Sequence, residues 1–222
     1  MERHFQKELD NLNARIIEMG SKAEEMIRLA MQSLVERRAE LASQVESLEH
    51  ELNCMHLEND NFALRLLATQ QPVAGDLRFL VTAIKINGEL ERVGDQAVNI
   101  SENTQALLQS PPLKPLIDLP AMAELAEKMV RESHDAYVRR DAIQAEAVIM
   151  EDDKVDALKD QIFRELLTFM VADSTTIPRA LSLILISRNL ERIGDQAVNI
   201  AEDVIFMVAG KDVRHPREGK RA

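Results

Sequence analysis

Tryptophan is absent from this 222-residue chain, and the aromatics together supply 3% of it. A β-sheet draws on β-branched and aromatic runs, so the shortage argues against one. Cysteine occurs once, at Cys54, which excludes an internal disulfide and suits a reducing compartment. No run approaches the roughly 18 uncharged apolar residues of a membrane span, the richest stretch being Ala180 to Ile186. The opening MERHFQKELD is charged and lacks an apolar signal core, so export is not expected. Cationic side chains are also short: 27 Lys and Arg face 38 Asp and Glu, a formal charge of −11. That balance argues against a grip on the phosphate backbone of nucleic acid. It suits cations, or a basic surface on a partner. A glycine-rich phosphate loop and a Ser/His/Asp set are missing too, so no enzymatic activity is expected.

What remains is 45% hydrophobic, too apolar for disorder, and rich in the helix formers Leu, Ala, Met, Glu and Arg. Phe5, Leu9, Leu12, Ile16, Met19, Ala23, Met26 and Ala30 alternate steps of four and three, which predicts a first helix over about 4–38. Leu41, Val45, Leu48, Leu52, Met55, Asn59, Phe62 and Leu66 continue the pattern in a second helix, with Asn59 as a polar intruder. Gln70-Gln71-Pro72 ends it, and a third helix is expected over about 73–109. Pro111, Pro112, Pro115 and Pro120 exclude a helix between them. The second half repeats the plan, with helices over about 121–139, 141–172 and 179–209. Asp141 is the expected N-cap, Asp173–Pro178 a loop and Gly210 the final cap. The reading is therefore all-α: two tandem, pseudo-symmetric three-helix bundles at 1–110 and 121–210, a Pro-rich linker at 111–120 and a flexible basic tail at 211–222.

The halves are related by more than plan. Glu91-Arg-Val-Gly-Asp-Gln-Ala-Val-Asn-Ile100 recurs as Glu191-Arg-Ile-Gly-Asp-Gln-Ala-Val-Asn-Ile200, differing only at Val93/Ile193. Such self-similarity marks a duplicated structural unit. The earlier helices align at an offset of 103 (Met26 with Met129), which matches Glu49 and Asn53 with Asp152 and Asp156.

Each residue of a helix turns its side chain by about 100°, so Glu91, Asp95, Asn99 and Glu102 share a strip roughly 80° wide. Glu191, Asp195, Asn199 and Glu202 form the same strip in the second copy. Gly94 adjoins the strip and lets a neighbour approach closely. A like-charge pair at i,i+4 costs a helix roughly 0.2–0.5 kcal/mol, so something should offset it in both halves. Arg92 and Arg192 are placed to reach the Asp three residues on. The other candidate is a bound cation, since all-oxygen ligands suit magnesium, calcium, manganese and iron. Glu49/Asn53 and Asp152/Asp156 would complete such sites if their helices face the strips. The alternative reading is a solvated acidic face, and neither strip contains the Glu-x-x-His of a di-iron centre.

Elsewhere, Asp76-Leu77-Arg78 sits where Asp favours a helix N-terminus. His50, His56 and His134 read as surface or packed residues, Cys54 as a buried apolar one. Met26, Met31, Met55, Met122, Met129, Met150 and Met170 read as core fillers.

Leu-Glu-Arg-Val/Ile-Gly-Asp with an Asn four residues later stands in both halves. Gln71-Pro-Val-Ala-Gly-Asp-Leu-Arg78 precedes the first copy, and Glu151-Asp-Asp-Lys-Val-Asp156 the second. On these motifs the chain resembles the PhoU family of phosphate-specific transport system accessory proteins, across essentially its whole length. The resemblance implies paired three-helix bundles that often dimerise. It also implies a cytoplasmic, non-enzymatic negative regulator of the phosphate-starvation response and of phosphate uptake. Such proteins link a phosphate ABC transporter, through its ATPase, to a sensor histidine kinase. It further implies metal at Glu/Asp-x-x-x-Asp motifs, which here fall on Glu91 and Asp95, Glu191 and Asp195, and Asp152 and Asp156. Glu49, Asn99 and Asn199 are further candidate ligands, and the metal is left open among iron, magnesium, manganese, zinc and calcium. Asn53 departs from the pattern where an acidic residue is expected. A metal-storage or metal-dependent bundle and a plain acidic scaffold remain alternatives. Direct phosphate binding is not expected without a metal.

Overall fold

A computed structural model describes residues 2–214. Among them are seven α-helices: α1 Glu2–Glu36, α2 Ala39–Gln70, α3 Ala74–Leu108, α4 Asp118–Arg139, α5 Ala142–Ile149, α6 Asp152–Ala172 and α7 Ile177–Ala209. A 3-10 turn, Ser174–Thr176, leads into α7, and no strand occurs among the described residues. Helices α1, α2 and α3 pack mutually as one bundle; α4, the α5–α6 pair and α7 form the other. The bundles meet along α3 and α7, with a second seam between α1 and α4, and one apolar core runs through both.

The seam read from spacing is the core: Leu12, Ile16, Met19, Ala23, Met26 and Ala30 of α1 are fully buried. Asn59 is buried too, and it is paired. Its amide donates to Asn87 Oδ1 at 3.1 Å, and Asn87 in turn donates to Asp60 Oδ1 and the His56 carbonyl, both at 2.9 Å. Asp141 caps α5 by accepting from the amides of Ile143 and Gln144, and Gly210 closes α7 in left-handed backbone.

Five expectations are corrected. The linker expected over 111–120 is shorter, because α4 starts at Asp118 and takes Pro120 into its first turn, where its missing N–H costs nothing. The helix expected over 141–172 breaks at Met150-Glu151, where the Glu151 amide reaches back only three residues, to the Val148 carbonyl. The physical reason is the run Glu151-Asp152-Asp153: carboxylates are stabilised at a helix N-terminus, and the break gives them one. The loop at 173–178 holds the 3-10 turn, and α7 already starts at Ile177, with Pro178 in its first turn. Cys54 is exposed rather than buried. Met150, at the break, is 79% exposed and fills no core. Of the tail expected at 211–222, residues 215–222 lie outside the described ones, and Arg214 pairs with Asp212 at 2.6 Å.

Candidate cation-binding carboxylate clusters

Two clusters form where α3 and α7 run beside their neighbours. In the first, Glu91 and Asp95 of α3 share an electrostatic environment with Glu49 and His56 of α2. Partial burial raises the Glu91 carboxyl above its ordinary value, and repulsion from Asp95 and Glu49 adds to the rise. Nearby His56 and Arg92 oppose it. Asp95 is raised by burial and then by Glu49, with His56 opposing. The Asn53 amide donates to Glu49 Oε1 at 2.6 Å. Asn53 Oδ1 and His56 Nδ1 are buried and have no hydrogen-bond partner.

The second cluster gathers Asp152, Asp156 and Lys159 of α6 with Glu191 and Asp195 of α7. Lys159 donates to Asp156 Oδ1 at 2.8 Å and to Glu191 Oε1 at 3.1 Å, and both contacts hold its ammonium above its ordinary range. Asp195 is pushed up to about 6 by burial and by repulsion from Glu191, Asp152 and Asp156. Asp152 rises for the same reasons, burial first.

Glycine sets how closely the helices approach. A Cβ on Gly94 would stand 2.3 Å from Leu52 Cδ2, whereas one on Gly194 would stand 3.5 Å from Val155 and 3.6 Å from Asp152 Oδ1. The first approach needs glycine; the second tolerates more.

The remaining candidates divide. Asn199 turns to the seam between bundles, where its amide donates to Glu89 Oε2 at 3.3 Å. Asn99 is half-buried and its carbonyl accepts from the Asn103 amide. Arg92 pairs with Glu89 at 2.6 Å, three residues back, and not with Asp95 as its spacing suggested. Lys159 and the role of His56 were missed by sequence reasoning. Aligning the halves puts them at one position (56 and 159, offset 103), and that alignment was the signal available.

Among the described residues no group of three or more His, Cys, Asp or Glu side chains is arranged so that it could hold a metal ion. The first cluster has the donor types that a hard cation takes, but they are not gathered into an arrangement that holds one. Three carboxylates lie near an imidazole nitrogen and an amide oxygen that nothing satisfies, and two of the carboxyls are raised, by burial first and then by repulsion from their acidic neighbours. The second cluster already holds a cation of its own, Lys159.

The family model described as the PhoU domain matches residues 16–104 and again 119–204. The chain belongs to the PhoU family. The phosphate-specific transport system accessory protein PhoU homolog of Zymomonas mobilis is 38% identical over 216 residues, 97% of this chain and 91% of that protein. A crystal structure of PhoU from Pseudomonas aeruginosa superposes with a TM-score of 0.91 at 35% identity, covering 93% of this chain and 100% of that one. The phosphate transport system regulatory protein PhoU of Streptococcus pneumoniae, at 24% identity, shares the fold with a TM-score of 0.86, covering 95% and 100%. The two matches of the PhoU domain correspond to the two bundles, so the duplication read from the sequence is a duplication of the family's unit. No helix among the described residues is long and apolar enough to cross a membrane.

Proposed function

We propose that this PhoU-family protein regulates phosphate transport in the cytoplasm. It restrains uptake and the starvation response as a homodimeric adaptor between a phosphate ABC transporter, through its ATPase, and a sensor histidine kinase. The names carried by its relatives, an accessory and a regulatory protein of phosphate transport, support the general role. The adaptor's working part is the first carboxylate cluster, and the observation that supports this is its crowded, partly buried carboxylates beside two unsatisfied buried donor atoms. A divalent cation, when bound, neutralises the repelling carboxylates. Glu49, Glu91, Asp95 and His56 are the side chains that would have to close on it, since they are not arranged to hold it as they stand. With their charge balanced, these residues fix the relative placement of α2 and α3, and with it the surface offered to partners.

Metal analysis of the purified protein beside a Glu91→Gln/Asp95→Asn variant tests the cation. Equal, negligible metal in both removes it. Capture of the transporter ATPase and of the kinase's sensor domain, with and without chelator, tests the adaptor. The Lys159 bridge favours a second reading for the other bundle, a docking face for basic surfaces that needs no metal. Binding there is insensitive to chelator and falls steeply with salt.

A further inference from the structure

Arg37 and Arg140 stand at matching positions just beyond α1 and α4, both in left-handed backbone, at φ 56° and 54°. Arg37 commits its guanidinium to the carbonyls that end α3, donating to Leu107, Leu108 and Ser110 at 3.4, 3.2 and 2.7 Å. Linker residues Pro111 to Leu116 close over that place. Arg140 makes no such contact. The equivalent carbonyl at the end of α7, on Met207, accepts instead from Arg78 Nε at 3.4 Å. Arg140 lies over the Phe79 ring at 5.6 Å, and no ion pair engages it among the described residues.

A cavity of about 340 Å³ opens here, with Arg78, Arg140 and Phe79 in its wall. Gln6 of α1 and Asp76 in the first turn of α3 share the lining. Two guanidiniums against one carboxylate make a positive pocket on a chain of net charge −11. The N-terminal end of the 35-residue α3 adds its dipole. Directly behind Phe79 stands Tyr137, stacked on it with centroids 6.2 Å apart. Tyr137 is 1% exposed and its hydroxyl has no hydrogen-bond partner, although the Arg140 charge acts on it.

We propose that this pocket binds a small oxyanion, inorganic phosphate or a phosphate monoester, gripped by Arg78 and Arg140. Guanidinium forks match the paired oxygens of a phosphate, which a lone ammonium does not. The volume lies at the lower end for small-molecule pockets, which leaves room for the organic part of an ester against Phe79 and Leu9. Binding here needs no metal, so it stands apart from the carboxylate clusters and reverses the expectation drawn from net charge.

Tyr137, stacked on the wall residue Phe79, is the sole tyrosine of a chain without tryptophan, so ultraviolet fluorescence of the full-length protein reads the ring behind the wall while titration calorimetry reads binding itself. The protein is titrated with sodium phosphate and, separately, with glycerol 3-phosphate, both in the presence of chelator. The expected result is a saturable change with at least one of them, weakened about tenfold or more in Arg140→Gln at unchanged melting temperature. A response to phosphate alone identifies the free ion, and a response to the ester alone identifies a phosphorylated metabolite. Arg140→Lys, which keeps the charge without the fork, falls between, and it serves the same comparison if Arg140→Gln does not fold. No response to either ligand, or a response that both variants leave intact, overturns the proposal.

Discussion

Helix α2 and the broken pair α5–α6 occupy equivalent places, and each sets polar side chains against a nearly identical acidic strip on α3 or α7. The two bundles answer the resulting repulsion differently. In the second, Lys159 reaches two of the four carboxylates, and its ammonium is part of the fold. In the first, the equivalent position carries His56, which pairs at 3.5 Å with Asp60 through Nε2 and leaves Nδ1 unsatisfied. Asn53 replaces an aspartate there, which removes one charge and adds an amide oxygen. A repeated motif therefore does not make a repeated site. The residue one helix away decides whether the strip is bridged by an ammonium of the fold, as by Lys159, or lies beside an imidazole, as at His56.

The comparison breaks most sharply at the glycines. Gly94→Ala drives a methyl into Leu52, a fully buried side chain held by its neighbours, and should cost about 1–3 kcal/mol by overpacking. Gly194→Ala meets Val155 at ordinary contact distance. It should be neutral or stabilising by up to about 1 kcal/mol, since alanine favours a helix. Urea unfolding of the two variants measures both. Equal effects would mean that the bundles are packed alike after all.

How far the sequence carried this picture depended on the kind of signal. Buried seams repeat with the helical period, so most of the α1 seam and the Leu41, Val45, Leu52, Asn59 and Leu66 positions of α2 were legible, as were the caps Asp141 and Gly210, while Leu48, Met55 and Phe62 are only half-buried. The acidic strips were legible because a duplicated string exposed them. The break at Met150-Glu151 was not, because apolar spacing continues through it and only three successive carboxylates hint at a new helix start. Lys159 and Arg140 were not legible for another reason. Each acts through a residue distant in the chain, Glu191 for one and Phe79 for the other, and spacing within one helix does not report such partners. Cys54 and Met150 were misjudged by assigning burial from residue type alone.

Exchanging the deciding residue tests the cation argument directly. His56→Lys gives the first cluster a tethered ammonium and should lower its affinity for a divalent cation by about tenfold or more, as a competing positive charge is added and a donor nitrogen lost. Lys159→Gln does the reverse. It strips the second cluster of its cation, and in chelator it should cost about 1 kcal/mol, the bridge being partly screened by solvent. Added divalent cation should then restore stability in Lys159→Gln and do little for the same bundle in the parent protein. Calorimetry with manganese reads both. Identical manganese affinities in the parent and His56→Lys would remove the first cluster from consideration.

The smallest effect is on pH dependence. Asp195 is raised in the folded protein from 3.8 to about 6 by burial first and then by its acidic neighbours. A carboxyl raised on folding binds its proton more tightly in the native state, so the native state is favoured while the proton is held. Its cost is absent below about pH 4, grows as pH rises toward about 6 and is constant beyond. Solvent screening at this half-open site holds the magnitude to about 1 kcal/mol or less. Other carboxyls titrate in the same range, so the quantity to measure is the difference between the parent and Asp195→Asn, melted in chelator across that interval. The variant should gain on the parent as pH rises and then hold a constant lead. Were the difference flat across the interval, Asp195 would be solvated like any surface aspartate, and the crowding of charge on α7 would be harmless to the fold.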